Sequence, residues 1–331
     1  MAGRAEAPPG LGAWGRAMNW LFARGPLHLT LILLMVVWSV PTVALLISSF
    51  REPAALQSSG WWTVITDAFS GNFDLTIGNY EEVLQARRMW QSFLNSMIIT
   101  IPATFLVILV AAFAAYAFAW MDFPGRNVLF LVVVALLVVP LQMTLIPVLR
   151  LYVTINQDMG PISDFANGEL PHLNLPVLGG TIGGGNLFGT NSFLGLWLAH
   201  VAYGLPFAVF LLRNFFGSLP RDLFESAYLD GASDIGVFFR IVLPLSGPAI
   251  AALAIFQFLW VWQDLLVALV LLGDPDLAPM MLTINSLVSS FGSSYQLLTA
   301  AAFISMILPL GIFFALQRYF VQGILAGSVK G

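Results

Sequence analysis

Six long apolar segments restrict what this chain can fold into. A helix needs about 20 mainly apolar residues to cross the hydrocarbon core of a bilayer. Only 9% of the residues are charged, against roughly a quarter in soluble domains. The sequence therefore predicts an all-α integral membrane protein with six transmembrane helices. The predicted spans are Leu27–Phe50, Phe93–Trp120, Val128–Leu149, Phe193–Phe215, Leu245–Leu272 and Leu297–Phe320.

Prolines lie inside these segments and do not exclude helices there. Within a membrane bundle, neighbouring helices and local adjustments satisfy the backbone groups that proline frees. The prolines considered are Pro41, Pro102, Pro140, Pro206, Pro248 and Pro309.

The distribution of basic residues predicts the orientation of the spans. Cytoplasmic loops of membrane proteins carry an excess of Lys and Arg. Alternating spans place nine of the 13 basic residues, including Arg4, Arg16 and Arg24, on one side. We therefore expect both termini, and the polar region between spans four and five, in the cytoplasm. The predicted organisation is a cytoplasmic segment 1–26, a six-span transmembrane domain 27–320 and a cytoplasmic tail 321–331. Segment 1–26 contains either an interfacial helix or a frayed tail.

Several classes of function are excluded by composition. The chain has no cysteine, three scattered histidines and a net charge of −4, so neither a metal site nor nucleic-acid binding is indicated. Lys330 is the only lysine, and no glycine-rich loop precedes it in the pattern of an ATP-binding P-loop. We expect no cofactor. The long outer loop 153–192 is rich in Gly and Asn, and we interpret its glycine run as a flexible loop.

A polar segment interrupts the apolar sequence between spans four and five. Ser218 is predicted to cap a short helix, and Gly231 suits the left-handed residue that ends one. Ser233 is predicted to cap a second helix, which ends at Pro244 before span five. The second helix carries an apolar stripe of Ile235, Phe238, Phe239 and Val242. Surplus apolar residues of this kind indicate a partner site, although an ordinary interfacial loop is the alternative.

The spacing of this segment resembles the EAA loop of binding-protein-dependent ABC importer permeases. The pattern is Glu-Ala-Ala, three residues, Gly, nine residues and Ile-x-Leu-Pro; the single departure is Ser226 in place of the first Ala. The residues in register are Glu225, Ala227, Gly231, Ile241, Leu243 and Pro244. The sequences around Leu205–Phe207, Arg213–Phe216 and Trp262–Asp264 resemble the sugar-importer branch. The end of the chain, Gly323–Gly331, is similar to the tail of G-type permeases of maltose transporters.

This resemblance implies a fold, partners and contact residues. It implies a MetI-like fold in the cytoplasmic membrane of a bacterium or archaeon. The partners would be a second homologous permease, two ATP-binding-cassette ATPase subunits and an extracytoplasmic solute-binding protein. Membrane lipid would surround the two permeases. The implied ATPase-docking residues, within loop 216–244, are Glu225, Ser226, Ala227, Asp230, Gly231, Leu243 and Pro244. The implied tail contacts are Gly327, Ser328 and Lys330. Loop 153–192 is longer than the family pattern.

A polar group in span five suggests a substrate path. Asp264 is an acid within a predicted span, and such residues usually face a bundle interior or cavity. Gln257, Trp260 and Asp264 are spaced to share one helix face, with Gln263 adjacent. Carboxylate and amide groups can hydrogen-bond sugar hydroxyls, and an indole ring offers a flat face for the C–H side of a sugar. The alternatives are an interfacial tryptophan belt with a snorkelling acid, or a sugar site held mainly by the partner permease.

The predicted function is that of a permease subunit, not an enzyme, which imports a sugar such as an oligosaccharide or glucoside by alternating access. ATP hydrolysis would belong to separate subunits. The alternatives are an ABC permease for a non-sugar solute, an ion-driven secondary transporter and a non-transporting scaffold. An ion-driven transporter would require acids or paired charges in several spans, and Asp264 is the one acid predicted within a span.

Overall fold

The computed structural model describes residues 13–71, 74–85, 88–158, 173–175, 180–182, 190–288 and 295–328. Lys330 and the glycine run at 183–185 lie outside these residues, as does the start of segment 1–26. The chain divides into two compact units. One comprises Met1–Tyr80 with Ser293–Ala300, and the other comprises Glu81–Gly292 with Ala301–Gly331.

The first unit is built around one long helix and a buried arginine. Helix α1 (Ala13–Phe50) is followed by α2 (Pro53–Ser58) and α3 (Thr63–Phe69). Arg51 is fully buried, and its guanidinium donates hydrogen bonds to the Gly60 carbonyl at 2.7 Å and the Ser59 hydroxyl at 3.0 Å. Asp67 and Asp74 lie within 4 Å of the same guanidinium. Because a buried charge requires partners, Arg51 holds the segment after α1 in place.

The second unit contains most of the remaining elements. Helix α4 (Gly78–Gln85) and helix α14 (Tyr295–Ser328) contribute residues to both units. The other helices are α5 (Met89–Trp120), α6 (Arg126–Leu136), α7 (Leu141–Asp158), α8 (Phe193–Phe216), α9 (Arg221–Leu229), α10 (Asp234–Leu245), α11 (Gly247–Trp262), α12 (Leu266–Leu271) and α13 (Met280–Val288). A short 3₁₀ turn, Pro275–Leu277, lies between α12 and α13.

The core of the second unit lies where α5 packs against α8 and α11. Ala103, Ala111 and Ala115 of α5 are fully buried, as are Leu212 of α8 and Leu253 of α11. Small residues at these positions let helix backbones approach closely, which is how helices pack within membranes. Helix α5 is therefore the central helix of this unit.

Among the described residues, four continuous helices are long and apolar enough to cross a membrane, and two bent pairs raise the number to six if each pair counts as one span. The second pair, α10 with α11, begins before predicted span five. The continuous helices are Gly25–Phe50, Met89–Trp120, Phe193–Phe216 and Tyr295–Ala315. The prediction of an all-α membrane fold is confirmed, apart from a small antiparallel hairpin of β1 (Leu173–Leu175) and β2 (Gly180–Ile182). That hairpin lies inside the predicted outer loop 153–192, whose first residues instead continue α7 to Asp158.

The third predicted span, Val128–Leu149, is wrong as a single straight helix. Helices α6 and α7 meet at an angle of 102°. The backbone after α6 forms 3₁₀-type turns, in which the N–H groups of Leu137, Val138 and Val139 donate to carbonyls three residues earlier. Pro140 follows and has no N–H to donate. Pro140 therefore ends the helix here.

The fifth predicted span, Leu245–Leu272, is also broken. Helix α11 bends by 75° from α10 at Ser246 and ends at Trp262. A non-helical stretch of Gln263 to Leu265 then separates it from α12. In contrast, α14 runs past the predicted end of span six at Phe320, and its helical backbone includes Gly327 and Ser328 of the predicted tail.

Candidate functional site

The polar loop between α8 and α11 folds into two helices, as predicted, but its first cap is different. Helix α9 begins at Arg221, with Pro220 at the N-cap position. The Ser218 hydroxyl donates to the Phe215 carbonyl at 2.7 Å, so it contacts the end of α8 and does not cap α9. The predicted cap was wrong because Pro220 fixes the backbone that starts the helix, which leaves Ser218 two residues before the N-cap position.

Helix α9 ends in a Schellman motif. Gly231 has φ +80°, in the left-handed region that favours glycine. The Ala232 N–H donates to the Ala227 carbonyl at 2.9 Å, and the Gly231 N–H donates to the Tyr228 carbonyl at 3.0 Å. These two bonds define the motif. The spacing of Ala227 and Gly231 in the sequence therefore has a structural cause, namely the ending of this helix.

The second helix, α10, is capped by Ser233, whose hydroxyl accepts from the Gly236 N–H at 3.3 Å. Its middle, Phe238–Val242, is a π-helical turn, a feature frequent at functional sites. Pro244 was predicted to break the chain before span five. It lies instead near the end of α10, and the bend follows at Ser246.

The predicted apolar stripe of α10 divides between two environments. Phe238 and Val242 are buried, whereas Ile235 is 71% exposed and Phe239 is 50% exposed. Val237, which the stripe omitted, is fully buried. Val237 and Val242 are five residues apart, the spacing of a π turn, and a search at the α-helical period does not detect it.

The predicted docking residues lie mostly on the surface of this loop. Leu229, next to them on α9, is 89% exposed, so polar and apolar groups lie side by side there. Ala227 and Leu243 are half-buried. The exposed docking residues are Glu225, Ser226, Asp230, Gly231 and Pro244.

Two aromatic residues near the end of α5 contact this loop, and sequence analysis did not identify either. The Trp120 indole stacks on Phe224 of α9 with 3.6 Å between ring centroids. The Tyr116 hydroxyl donates to the Asp234 carbonyl at 3.1 Å, and the Tyr228 hydroxyl donates to Asp234 Oδ1 at 2.8 Å. Burial raises the pKa of Tyr228, and its hydrogen bonds with Tyr116 and Asp234 raise it further. Tyr228 therefore remains protonated at neutral pH and able to donate.

Gln257, Trp260 and Asp264 do not share the single helix face that the sequence predicted, and the adjacent Gln263 also follows the end of the helix. Gln257 is only 2% exposed and lies against Gly204 of α8, whereas Trp260 is 47% exposed. Helix α11 ends at Trp262, so Gln263 and Asp264 follow it in non-helical backbone. The helical spacing used for the prediction stops before Asp264, which is why the shared face is wrong.

Asp264 caps α12. Its carboxylate accepts hydrogen bonds from the backbone N–H groups of Val267 at 3.1 Å and Ala268 at 3.2 Å. Its side chain is 9% exposed, and Oδ2 lies 3.9 Å from Nε2 of His200 on α8. These residues line a cavity of about 10 Å³ together with Ser96 and Thr100 of α5. His200 was treated as a scattered histidine, and nothing in its sequence neighbourhood indicated this contact.

The described residues contain no cluster of three or more His, Cys, Asp or Glu side chains that could hold a metal ion. His200 and Asp264 form only a pair.

Comparisons with known proteins identify the family. Residues 107–325 match the family model described as "Binding-protein-dependent transport system inner membrane component". The chain belongs to this family. It is therefore a membrane permease subunit of an ABC transporter and not itself an enzyme, and the predicted family and fold are confirmed.

Relatives match along nearly the whole chain. The osmoprotective compounds uptake permease protein GgtD of Synechocystis sp. is 50% identical, covering 92% of each chain. The alpha-glucoside transport system permease protein AglG of Rhizobium meliloti is 39% identical, over 92% of this chain and 96% of its own. A crystal structure of a bacterial ABC transporter that imports the acidic polysaccharide alginate superposes with a TM-score of 0.68. That alignment is 18% identical and covers 94% of this chain and 99% of the other, which supports the fold.

Proposed function

We propose that this chain is one of two permease subunits of an ABC importer for a sugar, and that loop 216–244 docks an ATPase subunit. The observation that carries this proposal is the geometry of α9. The helix presents Glu225 and Asp230 beside the exposed Leu229, and it ends in the left-handed turn at Gly231. Ile235 and Phe239 of the same loop are exposed as well as Leu229, and several large apolar residues exposed on one short loop support a partner surface.

The mechanism that we propose is alternating access. Closure of a separate ATPase dimer on ATP would move the docking loop, and the helices would then open toward an extracytoplasmic binding protein. A second homologous permease would complete the path. We place both termini and the docking loop in the cytoplasm on the basis of the basic-residue distribution. The tail residues Gly327, Ser328 and Lys330 are proposed as further ATPase contacts.

The substrate class is supported by the relatives. Among them are permeases whose names specify alpha-glucosides, arabinooligosaccharides and diacetylchitobiose. We therefore propose a glucoside or a short oligosaccharide. A second candidate class, osmoprotective compounds, is favoured by the name of the 50% identical relative.

The substrate path needs a revised residue set. We propose that Trp260 and Gln263, both exposed, contact the sugar as a flat apolar surface and a hydrogen-bonding amide. Gln257 and Asp264 keep an indirect role in the proposed path, because they position the helices that surround the path. Gln257 is wedged between α11 and α8, and Asp264 fixes the start of α12.

Reconstitution tests this function. The chain is co-expressed with its neighbouring transport subunits, purified, and placed in vesicles with the binding protein. We expect two ATPase copies to co-purify, and ATP hydrolysis to rise when the binding protein carries an α-glucoside. Stimulation by a zwitterionic osmoprotectant such as glycine betaine, with none by sugars, would reject the sugar proposal. Absence of any ATPase subunit from the complex would reject the docking proposal.

A further inference from the structure

Helix α5 contacts the docking loop through two pairs of aromatic residues in matching register. Tyr116 and Trp120 are four residues apart on α5, and Phe224 and Tyr228 are four residues apart on α9. Residues at this spacing lie on the same side of a helix, one turn apart. Each α5 residue meets one α9 residue: Trp120 meets Phe224, and Tyr116 meets Tyr228. The two helices therefore meet along a side and not at a single point.

The Trp120 contact joins three elements. Its ring stacks on Phe224, which is 2% exposed, with an interplanar angle of 16°. Its Nε1–H donates to the carbonyl of Phe216, the last residue of α8, at 3.0 Å. Stacked aromatic pairs stabilise a contact beyond the area that they bury. The indole thus fixes α9 relative to both α5 and the end of α8.

The Tyr116 contact reaches the second helix of the loop. Its hydroxyl donates to the main-chain carbonyl of Asp234, while the Tyr228 hydroxyl bonds the carboxylate of the same residue. The Tyr116 ring also packs against Phe238 in the π turn, with 5.3 Å between centroids. Phe113, one turn earlier on α5, stacks on the same Phe238 at 4.8 Å. Helix α5 therefore holds both sides of the turn at Gly231.

Helix α5 is distant from the docking loop in the sequence, whereas α8 directly precedes the loop and α11 directly follows it. It nevertheless packs along both of these helices and carries the buried alanines of the core. A displacement of the loop is therefore applied to α5 through side chains, at Tyr116 and Trp120. Rigid secondary elements linked by packed side chains and hydrogen bonds are the physical means by which displacements travel through a protein.

We propose that Tyr116 and Trp120 are positioning residues that transmit movement of the docking loop to α5, and through α5 to the helix bundle. This proposal rests on the docking role of loop 216–244. It assigns these two residues to coupling and not to ATPase binding, because both lie on α5 and the exposed docking residues lie on the loop.

Two substitutions test the proposal, each with a matched control. Tyr116→Phe removes only the hydroxyl, and its control is Tyr152→Phe, whose hydroxyl also donates to a main-chain carbonyl, that of Gly195, at 2.8 Å. Trp120→Phe removes the indole N–H, and its control is Trp197→Phe, whose Nε1–H donates to the Ile98 carbonyl at 2.9 Å. Neither control contacts the docking loop through these bonds.

The measurements are the number of ATPase copies in the purified complex and the sugar taken up per ATP hydrolysed in vesicles. We expect Tyr116→Phe and Trp120→Phe to keep the full ATPase complement. Uptake per ATP should fall about fivefold, the factor that corresponds to one net hydrogen bond of about 1 kcal/mol. The control variants should retain wild-type uptake per ATP.

Three results would overturn the proposal. They are wild-type uptake per ATP in both test variants, an equal loss in the control variants, or loss of ATPase copies from the test variants. Glu225→Lys separates this outcome from failure of the docking role itself. If Glu225→Lys keeps every ATPase copy and full transport, the docking proposal fails, and the transmission proposal fails with it.

Discussion

The side-chain amide of Gln257 lies directly against the backbone of Gly204. A Cβ atom placed on Gly204 would come within 2.6 Å of Gln257 Nε2 and 2.9 Å of Oε1. The Oε1 atom has no hydrogen-bond partner among the described residues. Glycine at this position of α8 is therefore required by close approach to a buried amide of α11, which is where these two helices pack.

Gly204→Ala is expected to destabilise the subunit. The added methyl group must displace a buried amide, and overpacking of this kind costs about 1–3 kcal/mol. The measurement is the thermal unfolding midpoint of the detergent-purified complex. Gly311→Ala is the control, because no atom lies within 4 Å of its added Cβ and the residue is inside helix α14.

The same prediction can be examined by rescue. Combining Gly204→Ala with Gln257→Ala should restore part of the lost stability, because the clashing amide is removed. If Gly204→Ala unfolds at the same temperature as Gly311→Ala, the close approach does not determine the stability of this helix pair.

Gly231→Val is expected to weaken ATPase retention. A left-handed backbone costs a residue with a side chain about 1–2 kcal/mol, so the turn between α9 and α10 should be distorted. The matched control is Gly125→Val, because Gly125 has nearly the same φ, +81°, and open space around its Cβ. Both variants should insert in the membrane, and only Gly231→Val should lose ATPase copies on purification. Equal retention in both variants would contradict a docking role for this turn.

Parts of the docking loop were predictable from the sequence because they depend on local chemistry. A glycine after a helical segment predicts a left-handed ending, and Gly231 has it; a serine before an acidic first turn predicts a cap, and Ser233 forms it. The break after α6 was not predicted, because Pro140 is compatible with either a kink or an end. Which of these forms depends on tertiary packing.

The positions of the polar residues were less predictable, for a different reason. The predicted shared face of Gln257 and Asp264 assumed an unbroken helix, but α11 ends at Trp262. The contacts of Trp120 with Phe224, and of His200 with Asp264, join residues that are distant in sequence. Periodicity carries no information on such pairs, so only the fold reveals them.

Single-cysteine labelling tests the proposed orientation, and the chain has no native cysteine. Ser58→Cys, after α1, and Ser218→Cys, before α9, both replace exposed side chains. We expect a membrane-impermeant thiol reagent to label Ser58→Cys in intact cells. Ser218→Cys should react only after the membrane is opened. Labelling of Ser218→Cys in intact cells, with protection of Ser58→Cys, would show the opposite orientation in the membrane.

Asp264 offers the sharpest separation between a structural and a transport role. Asn and Ser are good cap residues and can accept the hydrogen bonds that the carboxylate now takes from Val267 and Ala268. We expect Asp264→Asn and Asp264→Ser to keep the unfolding midpoint and most of the sugar uptake. Asp264→Leu leaves the two N–H groups unpaired and should cost about 0.5–2 kcal/mol, with reduced uptake.

Uptake in vesicles and thermal unfolding are measured on the same preparations. If all three variants remain stable and all three lose uptake, the carboxylate itself contacts the substrate. If Asp264→Leu matches the wild type in both measurements, the cap is dispensable and Asp264 has no place in the mechanism.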